Sequence, residues 1–336
     1  MIFDKGGRAY LIAEIGNNHE GSYTLAEEMI GKAVEAGADA VKFQTFQTEH
    51  YVSRENPARF ERLKGFELTY DQFAQLAKTT KVAGVDFIST PFDVASARFL
   101  GGIADAIKIS SSDNNFWALL EAAAETDLPL IISGGLASAA DLAYSKALIT
   151  RNWASRGVQQ DCAVLHCVTA YPVPPEQAGL AAIRVLQREV GGIIGYSDHT
   201  MGIDACLYAA AMGAQVIEKH FTIDKNYSDF RDHQLSADPE EFKALVDKIA
   251  AVAVLLGAEE KTAKAAELEL KPHVRRSIAV HRDVPKGETL SWDDLTWIRP
   301  ASGMAPGREG EVLGRPLNQS LNAGDILKPE MFETNR

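Results

Sequence analysis

Residues 10–45 read YLIAEIGNNHEGSYTLAEEMIGKAVEAGADAVKFQT. A short run of Leu, Ile and Ala closes on Glu14, an amphipathic stretch follows over 24–36, Gly37 stops it, and a second apolar run starts at Ala40. This is one strand–helix–strand unit, read from the change of periodicity and from the glycine stop. The same beat continues to about residue 256. Further apolar runs lie at 86–90, 106–109, 130–133, 163–167, 193–196 and 216–219, each rich in Ile, Val, Leu or Phe. A parallel strand covered on both faces has that composition. Helical stretches at 70–83, 94–100, 115–126, 138–149, 176–190, 203–212 and 239–256 separate and follow them. Eight such units in about 250 residues predict a (β/α)₈ TIM barrel of the α/β class. An open doubly wound sheet would show fewer repeats and an early G-x-G-x-x-G turn, and none follows the first strand.

Beyond the barrel, expected over 1–256, residues 257–272 are rich in Ala, Glu and Lys and read as a helical linker ending at Lys271-Pro272. From 273 to 336 the pattern changes to short strands and turns, with Pro285-Lys286-Gly287 and Asn322-Ala323-Gly324-Asp325. A small β-rich domain is expected there.

The formal net charge of −12 over 336 residues argues against a nucleic-acid partner, for which a basic face is the usual footprint. No apolar run reaches the roughly 18 residues of a membrane span, and the first ten residues have no leader pattern. The three cysteines, Cys162, Cys167 and Cys206, have no Cys-x-x-Cys spacing and suit a reducing compartment. A cytoplasmic protein is the expectation.

In a barrel the chemistry collects at the carboxyl ends of the strands, and here those ends are polar. They carry Glu14; Lys42 and Gln44; Thr90 and Asp93; Lys108 and Ser111; Ser133; His166, Thr169 and Tyr171; Asp198 and His199; and Glu218, Lys219 and His220. Charges at so many strand ends are costly unless paired or liganded, which points to an enzyme. Lys42, Lys108 and Lys219 converging on one mouth would make a socket for a phosphate or carboxylate. Pairing with Glu14, Asp93 or Glu218 is the competing reading of each lysine. His199 and His220, on neighbouring strands about 5 Å apart, could share a divalent ion whose remaining positions are left to substrate or water. His166, behind Val164-Leu165, reads as a satisfied interior histidine, and His233 as a rim residue or a ligand.

Several runs resemble the N-acetylneuraminate synthase family: 13–21 (AEIGNNHEG), Val41-Lys42-Phe43-Gln44, Thr90-Pro91-Phe92-Asp93, Lys108-Ile109-Ser110-Ser111, 196–200 (YSDHT), 218–222 (EKHFT) and 232–236 (DHQLS). Arg276-Ser277-Ile278 and Arg299-Pro300 resemble its antifreeze-like SAF domain. The motifs occur in order along nearly the whole chain. The resemblance implies condensation of phosphoenolpyruvate with an N-acetylated amino sugar and water, using Mn²⁺ or Mg²⁺ held by His199 and His220. It assigns phosphoenolpyruvate to Lys42, Thr90, Lys108, Ser111, Ser133 and Tyr171, and Thr169 beside them is a further candidate for substrate binding. Glu14 becomes the acid–base residue and Asp232 a partner of sugar hydroxyls. Arg299 would reach the sugar of a second subunit in a homodimer that exchanges its small domains. Thr169 replaces an asparagine common in bacterial members, Gly134 a threonine or serine, and Ala301-Ser302 interrupts a glycine-rich segment; these bear on which sugar is taken. Two other readings are a Schiff-base pyruvate aldolase using Lys108 or Lys219, and an inactive carbohydrate-binding module.

Overall fold

Eight parallel strands close on one another in chain order, β1 back to β8, in the computed structural model, which describes residues 2–333. The strands are β1 (Tyr10–Gly16), β2 (Ala40–Thr45), β3 (Asp86–Pro91), β4 (Ala106–Ile109), β5 (Leu130–Ser133), β6 (Cys162–Cys167), β7 (Ile194–Asp198) and β8 (Val216–His220). Around them run α1 (Tyr23–Glu35), α2 (Thr48–Tyr51), α3 (Pro57–Phe66), α4 (Tyr70–Ala83), α5 (Val94–Leu100), α6 (Trp117–Ala124) and α7 (Ala139–Ser155). They continue as α8 (Ala182–Glu189), α9 (Asp204–Ala211), α10 (Arg231–Leu235) and α11 (Pro239–Leu256). The expected TIM barrel is the observed fold.

Three helices were absent from the sequence reading: α2 and α3, which fill the excursion between β2 and α4, and α10 after β8. One predicted helix is shorter than expected. The stretch 176–190 is broken at Gly179, whose φ of 58° no helix accommodates, so α8 starts only at Ala182.

Strand periodicity sorts the barrel interior into layers. The lower layer packs Tyr10, Ile12, Ala40, Ile88, Ala106, Ile131, Ala163 and Leu165. Two residues further along, on the same face of each strand, stand Glu14, Lys42, Thr90, Lys108, Ser133 and Cys167. An apolar plug therefore lies directly beneath a polar ring. The helices bury a separate, larger cluster against the outside of the barrel, with Leu11, Val41, Phe43, Phe87, Ile107 and Ile217 on its strand side. Gly195 in β7 is required by contact: a Cβ there would lie 2.3 Å from the Val216 carbonyl oxygen and 2.5 Å from Leu165 Cδ2.

The chain divides into two compact units, Met1–Gly257 and Ala258–Arg336. The second begins with α12 (Ala265–Val274), so the helix in this stretch starts later than expected and runs past Pro272. Strands β9 (Ser277–Val280) and β10 (Leu295–Ile298) then pair antiparallel, with Ile298 opposite Ser277. Isolated bridges such as Val284 to Leu321 and Leu317 to Phe332 complete a thin β-rich unit around Ile278, Val280, Val312, Leu317 and Leu327. No helix among the described residues is long and apolar enough to cross a membrane.

Candidate active site

A cavity of about 910 Å³ opens over the polar ring at the carboxyl ends of the strands. Eleven of the twelve predicted site residues line it: Glu14, Lys42, Thr90, Lys108, Ser111, Ser133, Thr169, Tyr171, His199, His220 and Asp232. The twelfth, Arg299, belongs to the other unit, where it is exposed just after β10.

The floor of the cavity is an ion-pair ring. Lys42 Nζ lies 2.7 Å from Glu14 Oε2 and 3.8 Å from Glu218 Oε1. Lys108 Nζ donates to both Glu218 oxygens, at 2.9 and 2.8 Å, and Ser197 donates to Glu218 Oε1 at 2.9 Å. Lysine pairing and convergence on the mouth, posed as competing readings, both hold for these two lysines. All four charged groups are almost completely buried. Burial would raise Glu218, but Lys108 and then Lys42 outweigh it and hold the carboxyl down to about 2. Glu14 shifts the other way. Burial pushes it up, Lys42 opposes, and Glu218 adds to the rise. Two carboxylates driven apart by their surroundings are suited to different duties. The Lys108 ammonium is lowered by burial against the pull of Glu218.

Lys219 does not join this socket. Lying between Glu218 and His220 on β8, it points to the opposite face, toward the helices. There Nζ bonds Asp198 Oδ2 at 2.8 Å and the Thr200 carbonyl at 2.6 Å. The expected third cation of the mouth is a structural residue.

His199, the residue after β7, and His220, the last of β8, have ring centroids 5.3 Å apart. His199 Nδ1 lies 2.8 Å from the Val168 carbonyl, so as its donor it leaves Nε2 free to coordinate. His220 Nδ1 is buried with no hydrogen-bond partner, and burial, with His199 and Lys42 nearby, holds that ring well below the usual range. Tyr171 packs on His199 with centroids 4.1 Å apart, and the Arg231 guanidinium covers the Tyr171 ring at 4.8 Å. Among the described residues no three His, Cys, Asp or Glu side chains gather as a metal cage, so the two imidazoles stand without a third protein donor of that kind.

Hydroxyls and amides surround the lysines. Lys42 Nζ donates to Thr90 Oγ1 at 3.3 Å, and the Gly135 amide donates to Ser111 Oγ at 3.1 Å. Gly135 must lack a side chain, since a Cβ would sit 2.2 Å from Thr169 Oγ1 and 2.6 Å from Ser111 Oγ. Asp93 turns away from the mouth and caps α5, accepting from Ser96 N at 2.8 Å. His166 is satisfied as expected, its Nε2 2.8 Å from the Ala178 carbonyl. His233 is not at the rim; it is fully buried, with its ring nitrogens against Thr222 Oγ1 and Glu20 Oε1.

Arg59 and Arg62 of α3, Arg231 at the start of α10 and Phe230 just before it also line the cavity. The sequence reading missed all four. The arginines lie three apart, on one helical face, but in an excursion that strand rhythm does not mark.

The sequence pattern of the NeuB family matches residues 29–261, and that of the SAF domain matches residues 275–333. An uncharacterised protein of Methanocaldococcus jannaschii is 38% identical over 96% of this chain and 94% of its own length. N,N'-diacetyllegionaminic acid synthase of Legionella pneumophila is 36% identical, again over 96% of this chain and 94% of its own. The crystal structure of N-acetylneuraminic acid (sialic acid) synthetase of Leptospira borgpetersenii, in complex with citrate, is 35% identical. It superposes with a TM-score of 0.73 over 78% of this chain and 90% of that one.

Proposed function

This chain belongs to the NeuB family, and on that premise we propose that it condenses phosphoenolpyruvate with the open-chain aldehyde of an N-acetylated amino sugar and water, giving a nonulosonic acid and phosphate. The acceptor is N-acetylmannosamine or a related diacetamido hexose; the name of the Legionella relative favours the second. The main support is the buried ring of Lys42, Lys108, Glu14 and Glu218 set beside two imidazoles at one barrel mouth.

Lys42 and Lys108, with Thr90, Ser111, Ser133, Thr169 and Tyr171, would hold the phosphate and carboxylate of phosphoenolpyruvate. Carbon 3 of the enol then forms the new C–C bond at the aldehyde carbon, and the aldehyde oxygen takes a proton. Carbon 2, left electron-poor, captures water; the C–O bond to phosphate breaks and phosphate departs. Glu14, raised above the ordinary carboxylate range, is poised to take the proton from that water. Asp232 would orient acceptor hydroxyls.

His199 and His220 would hold the divalent ion, Mn²⁺ or Mg²⁺. The residues fit it: one ring nitrogen is buried without a partner, and the other ring is oriented by a backbone carbonyl. When bound, the ion would draw charge from the aldehyde oxygen. The free, buried cysteines suit a reducing compartment such as the cytoplasm. Arg299, in the SAF domain, is exposed and available to a second copy in a domain-exchanged homodimer.

The lowered Lys108 gives a pyruvate aldolase its one point of favour. Against it, Lys108 gives two short hydrogen bonds to Glu218, and Lys219 faces away. Phosphate release from phosphoenolpyruvate, assayed with N-acetylmannosamine, its 6-phosphate and diacetamido-trideoxyhexoses, tests the proposal. Release with one of them, abolished by EDTA, is expected; no release with any, or a borohydride-trapped pyruvate adduct on Lys108, would overturn it.

A further inference from the structure

The segment after β8 must carry Phe230, Arg231 and Asp232 to the mouth, and its one helix, α10, is five residues long. So short a helix has no stability of its own. What fixes the segment is a set of buried contacts to the loop after β1. At its base, Asn18 Nδ2 donates to the Phe221 carbonyl at 2.8 Å and to Ser236 Oγ at 3.0 Å. Ser236 Oγ in turn donates to the Asp232 carbonyl at 2.6 Å. Higher up, Glu20 Oε1 accepts from Ser228 Oγ and lies 3.1 Å from His233 Nε2. His233 Nδ1 lies 2.7 Å from Thr222 Oγ1. One carboxylate oxygen thus gathers both halves of the loop, and the imidazole it holds is wholly buried.

We infer that Glu20 and His233 form a latch that sets Asp232 for the amino-sugar acceptor, acting as positioning residues: His233 is wholly buried behind the cavity, and Glu20, which also lines the cavity, acts through the contacts it gives Ser228 and His233. Asp232 is the immediate neighbour of His233 in the chain, and its Oδ1 is buried without a hydrogen-bond partner, with Arg231 Nε standing 3.4 Å off. That oxygen waits for a donor, and an acceptor hydroxyl supplies one. The enol-phosphate cradle has no residue in the latch and meets its segment only where Arg231 covers the Tyr171 ring, while Lys42, Thr90, Lys108 and Ser133 stand on the strands, so the two substrates depend on it unequally. The inference rests on the condensation proposed above.

Steady-state kinetics with each substrate varied in turn test the latch. His233→Ala and Glu20→Ala are expected to raise KM for the acceptor by about tenfold to 10², the scale of a misplaced binding group. KM for phosphoenolpyruvate should stay within about twofold, since uniform binding of that substrate is untouched. His233→Gln, which keeps a donor toward Glu20, should recover most of the loss. The double variant Asp232→Ala/His233→Ala should be no worse than Asp232→Ala, because residues that act through one another do not add. Parallel rises in both KM values, multiplying losses, or wild-type kinetics in Glu20→Ala would overturn the latch. Absence of phosphate release by the wild-type protein with any amino sugar would instead remove the reaction beneath it.

Discussion

Along β1, Ile12 packs in the lower barrel while Glu14, two residues on, lies against Lys42; along β4 the same step separates Ala106 from Lys108. The strands and the facing direction are common to both layers. The lower layer carries no charge, its Tyr10 hydroxyl is satisfied by Asp86 Oδ2 at 2.7 Å, and it contributes stability through burial and close packing. The upper layer holds four buried charges, whose desolvation their own pairing has to offset. A protein tolerates such a layer where it works, so changes at the two heights should separate function from stability. Glu14→Gln should reduce phosphate release by a factor on the order of 10²–10⁴, the usual worth of a general base. Leu165→Ala, one layer down, should cost about 2–5 kcal/mol in denaturant unfolding and leave both KM values near wild type. A Glu14→Gln protein with near-normal turnover would break the contrast.

The two sides of the barrel wall offer a sharper version. Lys108 and Lys219 are both buried and both paired to a carboxylate, one over the cavity and one behind it. Lys219→Met would strand Asp198 in the helix layer, with an expected cost of about 3–5 kcal/mol for an orphaned buried charge, read by chemical denaturation. The variant that folds should keep its KM for phosphoenolpyruvate. Lys108→Met also removes the partner of a buried carboxylate, Glu218, but it should in addition raise that KM by at least about tenfold through loss of a charge-assisted contact. Equal effects on KM from both lysines would return Lys219 to the mouth.

This pair also marks how far the residues could be read unaided. Eight apolar runs ending in polar residues locate the ring, because strand ends and site coincide in a barrel. The run 216–220 leaves its phase open until the strand is placed: Glu218 and His220 share a face, and Lys219 cannot join them. With that alternation applied, Lys219 would have been assigned to the helix side. Phe230 and Arg231, by contrast, carried no such signal. They sit in a loop whose position depends on Glu20 and His233, more than 200 residues apart in sequence, and local pattern carries no trace of that pairing. Arg299 lies in the SAF domain, where only the resemblance gives it a role.

Within the ring, the two carboxylates titrate in opposite directions, and this gives a pH test. If Glu14 must be ionised to act, kcat/KM falls on the acid side through its raised pKa, measured at saturating divalent ion. Glu218, held to about 2 by the lysines, does not titrate in that range. Its negative charge is one cause of the rise in Glu14. Glu218→Gln removes that charge and leaves Lys42 and Lys108 less compensated, and both effects favour ionised Glu14. The acid limb should therefore move to lower pH in this variant. A limb that stays put, or moves up, would take the acid–base assignment away from Glu14.

The smallest effect is expected at the rim, where Arg59 and Arg62 differ from the buried lysines in every respect that sets electrostatic strength. Both are exposed, and among the described residues neither has an ion-pair partner, whereas Lys42, Lys108 and Arg231 each face a carboxylate. An exposed, unpaired cation contributes little to held affinity but does shape the approach of an anion, all the more on a chain of net charge −12. Arg59→Gln/Arg62→Gln should lower kcat/KM for phosphoenolpyruvate by about tenfold at low ionic strength, the lower end of electrostatic steering. The turnover number should be unchanged. Added salt should erase the difference, because exposed charges are screened within about 10 Å at 0.1 M while the buried ring is not. A loss that persists in high salt would mean that these arginines hold a bound substrate, and the division between a buried site that binds and an exposed rim that recruits would fall.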